Sequence, residues 1–145
     1  MNTSQQNSIA TVRAYIDGTP YRVELEDDLA HAWSSDMTSE QGGGNAGPTP
    51  KHLLLSSLGA CTAITLRMYA ARKQWPLEAV DVELHFDPDG KPASGTELRR
   101  RIVLHGPLDD SQRERLLQVA NACPIHKVLT GEVRIATSLA ADTGA

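Results

Sequence analysis

The stretch PTPKHLLLSSLGACTAITLRMYAARK, residues 48–73, decides how this chain is read. Thr49 suits an N-cap and Pro50 the first helical position, where a missing amide hydrogen costs nothing. A helix is therefore expected from Pro50 to about Lys73. Leu54, Leu58, Cys61, Thr65 and Tyr69 recur on one face, yet Leu55, Ala60, Ala63, Ile64 and Leu66 leave no polar face opposite them before Arg67. A helix apolar all round is expected to be buried all round. Ser56, Ser57, Gly59 and Ala60 are small enough to let another backbone approach closely. One small sheet covers only one side of such a helix, so a second copy of the chain is the economical cover for the other, and a homodimer is expected.

Upstream of this stretch the pattern is β-like. Val12, Ala14 and Ile16 alternate with Thr11, Arg13 and Tyr15, and Asp17-Gly18-Thr19-Pro20 supplies turn chemistry before Tyr21, Val23 and Leu25. A hairpin is expected, with a third strand around Ala30 to Ser35. The run Gln41-Gly42-Gly43-Gly44-Asn45-Ala46-Gly47 is expected to be irregular, either flexible or closely packed. Downstream, Val80, Val82, Leu84 and Phe86 alternate with Asp81, Glu83 and His85. Leu98, Ile102 and Leu104 alternate with Arg99, Arg101 and Val103, and Arg100 interrupts the apolar side. These two strands form a second expected hairpin, with cross-strand pairs between Asp81/Glu83 and Arg99/Arg101. A second helix with Asp109 as N-cap carries Leu116, Leu117 and Ala120 inward, and Cys123-Pro124 ends or kinks it. Ile125 to Leu129 reads as a further helical turn and Glu132 to Ser138 as a last strand. These elements are expected to form a single domain over residues 9–139, between a disordered N-terminus (1–8) and a loose tail (140–145).

Composition narrows the function classes. A chain of 145 residues can bury a core without help from disulfides or metal. Its longest uncharged stretch, His52 to Leu66, is shorter than the roughly 18 apolar residues of a membrane span and rich in Ser, Thr and Gly. Net charge −4 argues against holding nucleic acid or anionic lipid by bulk electrostatics. Residues 1–8 are polar with no basic or apolar signal region, and the expected location is cytoplasmic. Two cysteines in a reducing compartment read as redox-active, catalytic or simply buried thiols more readily than as a structural bridge. Cys61 neighbours Gly59 and Ala60, which leave its sulfur unhidden on that side. Cys123 begins Cys123-Pro124-Ile125-His126-Lys127, where two potential cations could favour a thiolate. His126 has no second Cys/His pair at metal-like spacing to share a zinc ion with. His31 and Asp36 are expected in structural hydrogen bonds, and Trp33 and Trp75 in the core or an interface.

Gly47-Pro48-Thr49-Pro50, Leu53-Leu54, Leu58-Gly59-Ala60-Cys61-Thr62-Ala63 and Cys123-Pro124-Ile125-His126-Lys127 together resemble the OsmC/Ohr family of osmotically induced and organic-hydroperoxide-resistance proteins, over about His31 to Leu139. Within it the chain is more similar to the broad OsmC-like branch than to the central peroxidases. The resemblance implies an intertwined α+β homodimer, with antiparallel sheets around long central cysteine-bearing helices. It also implies a thiol peroxidase that prefers organic hydroperoxides. Cys61 becomes a sulfenic acid, Cys123 condenses with it to a disulfide, and an external dithiol resets the pair, with no metal, flavin or haem. Leu54, Leu58 and Tyr69 are expected to line an apolar pocket near Cys61. Two departures stand out. The peroxidases carry a Glu ten residues before the first Cys, which holds a thiolate-stabilising Arg; here that position is Lys51. Arg22 and Arg13 are the available arginines, neither in an Arg-Asp-Gly turn, and Arg22 is carried as the candidate. The alternative is a non-peroxidatic OsmC-like protein that senses redox state or binds a small apolar ligand, and Lys51 is the feature that favours it.

Overall fold

The computed structural model describes residues 9–142, so the expected disorder of residues 1–8 and the last three residues of the expected tail lie outside the described residues. The fold is α+β with antiparallel sheets, and the chain divides after Ser56 into two compact units.

In the N-terminal unit, β1 (Val12–Ile16), β2 (Val23–Asp27) and β3 (Ala32–Ser35) form an antiparallel meander in that order. Register opposes Tyr15 to Glu24 and Leu25 to Trp33. Asx turns shape both connections. The carboxylate of Asp17 accepts the Thr19 amide at 2.9 Å, and that of Asp27 accepts the amides of Leu29 and His31 at 2.8 and 2.9 Å. His31 also holds Asp27 through Nδ1 at 2.8 Å. The glycine-rich run is closely packed: a Cβ on Gly43 would strike the Met37 carbonyl, and one on Gly47 the Ser34 carbonyl. The loop folds around the carboxylate of Asp36, 3% exposed, which accepts the amides of Met37 (2.7 Å), Gly44 and Ala46 (both 3.1 Å). The structural role expected of Asp36 is therefore what the loop is built on. β1 is exposed along both faces, so its alternation buries nothing within this unit.

Helix α1 (Pro50–Lys73) begins as expected, with the Thr49 hydroxyl accepting the His52 amide at 3.4 Å. From Ser57 onward the chain forms the second unit, in which the core lies between α1, the hairpin of β4 (Ala79–Phe86) and β5 (Leu98–His105), and α2 (Asp110–Ala120). The buried stripe of α1 is Leu58, Thr62, Leu66 and Ala70, spaced by four, and differs from the expected one. Gly59 is where β4 comes close, with Leu84 against its Cα. Ile64 and Met68 remain 58% and 62% exposed, so the helix expected to be covered all round is covered on one side by its own chain. By length and composition α1 is also apolar enough to cross a membrane, which the uncharged stretch alone did not lead us to expect. A core helix has the same composition, and the buried stripe packs α1 into this unit's core.

Asp109 caps α2 in a capping box with Gln112, its side chain accepting the Gln112 amide at 2.8 Å. Leu116, Val119 and Ala120 face inward while Leu117 is 61% exposed, a correction to the expected stripe. Trp75 packs on the core edge-to-face with Tyr69, ring centroids 5.5 Å apart. On the outer face of the hairpin the expected Asp/Glu–Arg pairs are replaced by others. Asp81 binds His105 and Glu83 binds His85, both at 2.7 Å, while Arg99 binds Asp89 and Glu97. Register explains part of this, because Asp81 lies opposite Val103 and Arg99 opposite His85. After α3 (Pro124–Thr130) the expected strand over Glu132 to Ser138 does not form. A strand needs a neighbour for its backbone groups, and among the described residues none pairs with it; Val133 and Ile135 are exposed.

Candidate active site

The site is assembled at the start of α3. Pro124 occupies the first helical position and has no amide hydrogen, so the first open donors of the helix are the amides of Ile125 and His126. Each is taken by a different sulfur. Cys123 is the N-cap, with φ −64° and ψ 140°, and its Sγ accepts the His126 amide at 3.2 Å, doing what a Ser or Asp oxygen does elsewhere. The Ile125 amide points at Sγ of Cys61 on α1, at 3.5 Å. Both cysteines are free thiols, and their sulfurs take adjacent amides of the same helix start. They differ in access: Cys123 is fully buried, Cys61 only partly.

A residue that the sequence marked only as an interruption completes the cluster. Arg100 lies on the inward side of β5 with Leu98, Ile102 and Leu104, opposite Leu84. Its Nη1 donates to Oγ1 of Thr62 at 2.9 Å, and its Nη2 to Oδ1 of Asn121 at 3.1 Å and to Nδ1 of His126 at 3.2 Å. The Thr62 hydroxyl in turn donates to the Leu58 carbonyl at 2.7 Å. Guanidinium groups only donate, so Nδ1 of His126 is the acceptor and the imidazole proton sits on Nε2. Burial, and then the Arg100 charge, holds the His126 pKa below its ordinary value. The expectation that His126 would be a cation for Cys123 is therefore replaced: the cation is Arg100. Burial pushes the Cys123 thiol up, but the His126 amide, the Cys61 thiol, the Thr62 hydroxyl and the Arg100 charge outweigh it and leave its pKa lowered.

The other expected residues are placed as follows. Arg22 lies in the N-terminal unit, where its Nε donates to Oε1 of Glu24 at 2.6 Å; Glu24 also accepts the Ser34 hydroxyl at 2.9 Å. Leu58 is buried. Tyr69, two turns beyond Cys61 and about 12 Å along the axis, packs with Trp75 and accepts a hydrogen bond from Arg115, so it lines no pocket at the thiol. Among the described residues no group of three or more His, Cys, Asp or Glu could hold a metal ion. Arg100 is the residue that sequence reasoning missed. The signal was its position, since an arginine at an inward strand position must find acceptors.

Solved structures share the fold. The OsmC-like protein of Mycoplasma pneumoniae aligns with TM-score 0.72 and 19% identity, covering 86% of this chain and 89% of that one. An organic hydroperoxide resistance protein OsmC from Legionella pneumophila aligns with TM-score 0.62 and 21% identity over 85% and 90% of the two chains. The organic hydroperoxide resistance protein OhrB of Bacillus subtilis aligns with TM-score 0.57 and 19% identity over 85% and 91%. No curated protein sequence matches the chain significantly. The family model for OsmC-like proteins matches residues 42–138, a span that contains both cysteines and Arg100, and the chain belongs to that family.

Proposed function

We propose that the protein is a thiol-dependent peroxidase that reduces organic hydroperoxides to alcohols. The observation that carries this reading is the pairing of a partly accessible thiol, Cys61, with a fully buried one, Cys123, on the adjacent amides of Ile125 and His126 at the start of α3. The first can meet a peroxide, and the second is held where only Cys61 need reach it. The names of the Legionella and Bacillus proteins that share the fold support the same substrate class.

In the first step the Cys61 thiolate attacks the distal oxygen of ROOH. An S–O bond forms, the O–O bond breaks, and the departing alkoxide takes a proton to leave as the alcohol. In the second, the Cys123 thiolate attacks the sulfenic sulfur; the S–S bond forms, the S–O bond breaks, and hydroxide takes a proton to leave as water. An external dithiol then returns both thiols by exchange and is itself oxidised to a disulfide. The cycle as written needs no metal or organic cofactor, and its resting state requires a reducing setting such as the cytoplasm. The working unit is a homodimer, a reading supported by the exposed Ile64 and Met68 on α1.

The test is stoichiometric. One equivalent of cumene hydroperoxide added to the reduced protein should consume two thiols and yield one cumyl alcohol. Retention of both thiols would sink the reading in favour of a ligand-binding or sensing protein.

A further inference from the structure

Arg100 is half-buried on the inner side of β5, and all three of its acceptors are neutral: a hydroxyl, an amide oxygen and an unprotonated imidazole nitrogen. Among the described residues no carboxylate pairs with it, whereas Arg99 beside it on the outer face binds two. A guanidinium taken partly out of water with its hydrogen bonds made but its charge unanswered favours an anion nearby. Two thiols of the cluster can become that anion, and Cys123 is the one joined to Arg100 through His126, whose Nδ1 accepts from the guanidinium and whose amide donates to the Cys123 sulfur. The groups around it are Cys61 and the Thr62 hydroxyl from α1, Arg100 from β5 and His126 from α3; Lys127 follows on α3. His126 cannot supply the positive charge, because a proton on Nδ1 would set an N–H against the N–H of Arg100.

We propose that Arg100 is the positioning residue that holds Cys123 as a thiolate and fixes His126 as the neutral Nε2–H tautomer, which readies Cys123 for disulfide formation near neutral pH. The inference rests on Cys61 and Cys123 acting as a redox pair. It goes beyond that reading in assigning the electrostatic partner of the second thiol to a strand residue. The step served is the attack of the Cys123 thiolate on the Cys61 sulfenic sulfur, with S–S formed, S–O broken and hydroxide released to be protonated to water. Only the thiolate is competent in that attack, so the fraction ionised sets its rate. The lowered pKa of Cys123 despite its burial is in keeping with this role.

The deciding experiment needs no peroxide. In a Cys61→Ser background, where Cys123 is the one cysteine left, the ultraviolet absorbance of the thiolate is followed against pH with Arg100, Arg100→Lys and Arg100→Gln. Arg100→Gln should cut the thiolate fraction near neutral pH about tenfold, a midpoint shift of about one unit upward, and Arg100→Lys should restore most of it. An unmoved midpoint in Arg100→Gln, or an equal shift in Arg100→Lys, would overturn the assignment. Nitrogen NMR of His126 in the unsubstituted protein guards against loss of fold in the variants: the Nε2–H tautomer is expected, and an Nδ1–H tautomer contradicts the placement of Arg100. Failure of peroxide turnover with the titration as expected would remove the peroxidase and leave the role of Arg100 in place. The reverse pattern would remove Arg100 alone.

Discussion

The amide of Ile125 points at the sulfur of Cys61, 3.5 Å away and 64 positions back along the chain. Because Pro124 leaves that amide as the first donor of α3, Cys61 is tied to the same helix start that Cys123 caps. In the proposed cycle Cys61 is the thiol oxidised and Cys123 the one that resolves it. Cys61→Ser should abolish turnover of an organic hydroperoxide. Cys123→Ser should still react once and accumulate a sulfenic acid trapped by dimedone. The opposite behaviour of the two variants would reverse the assignment.

Cys123 also has a structural duty as N-cap. Serine keeps an acceptor for the His126 amide and alanine does not, so Cys123→Ala should be less stable than Cys123→Ser by about 1 kcal/mol. Urea denaturation of the two variants measures the difference; equal stability would mean that the sulfur does not act as a cap.

How far the sequence could be read depended on range. The start of α1 was legible because Thr49 and Pro50 act within one turn of the helix they begin, and the same is true of Asp109 for α2. The two cysteine motifs were legible as a resemblance, and the structure adds that they meet. What was not legible required knowing neighbours. Arg100 meets Thr62 across 38 positions and His126 across 26, and nothing local marks those partners. Leu117 and Val119 exchange places because the phase of a short stripe is set by the surface it packs on. The strand expected over Glu132 to Ser138 has the alternation of a strand but no partner among the described residues, and alternation alone closes no hydrogen bonds.

Asp36 makes the acid side of the stability profile predictable. Its pKa is lowered chiefly by the Ala46 amide, against the cost of burial and with help from the Met37 and Gly44 amides. A depressed carboxylate contributes stability above its unfolded pKa, near 3.8, and that contribution is lost as pH falls through the lower folded value. Asp36→Asn should therefore destabilise the protein at neutral pH and flatten the decline in stability on acidification. Denaturant midpoints from pH 7 to pH 2 check both parts; a variant with the unaltered slope would mean that Asp36 does not govern it.

Ile64 and Met68 stand one turn apart on the uncovered side of α1. An apolar pair there should bury itself against a second copy, so sedimentation at micromolar concentration should give about twice 15.7 kDa. Charging the face with Met68→Glu should shift the protein toward the monomer. A soluble, stable monomer before substitution would remove the argument from the exposed face.

Arg22 is the residue expected to activate Cys61, and that expectation can be tested directly. In the peroxidases that the chain resembles, a Glu ten residues before the first cysteine holds the activating Arg; this chain has Lys51 there. Arg22 is nevertheless held by a carboxylate, that of Glu24 at 2.6 Å, and Glu24 is itself fixed by Ser34. The helix dipole is no substitute, since its effect fades within the first turn and Cys61 lies in the middle of α1. If Arg22 stabilises the attacking thiolate, Arg22→Ala should lower the rate of Cys61 oxidation by more than about tenfold, above roughly 1.4 kcal/mol in barrier. Glu24→Gln should lower it in the same direction by loosening Arg22, and Lys51→Ala should change it by less than about tenfold. Stopped-flow oxidation of the three reduced variants decides between them. A large loss with Lys51→Ala and none with Arg22→Ala or Glu24→Gln would place the activating charge on the lysine.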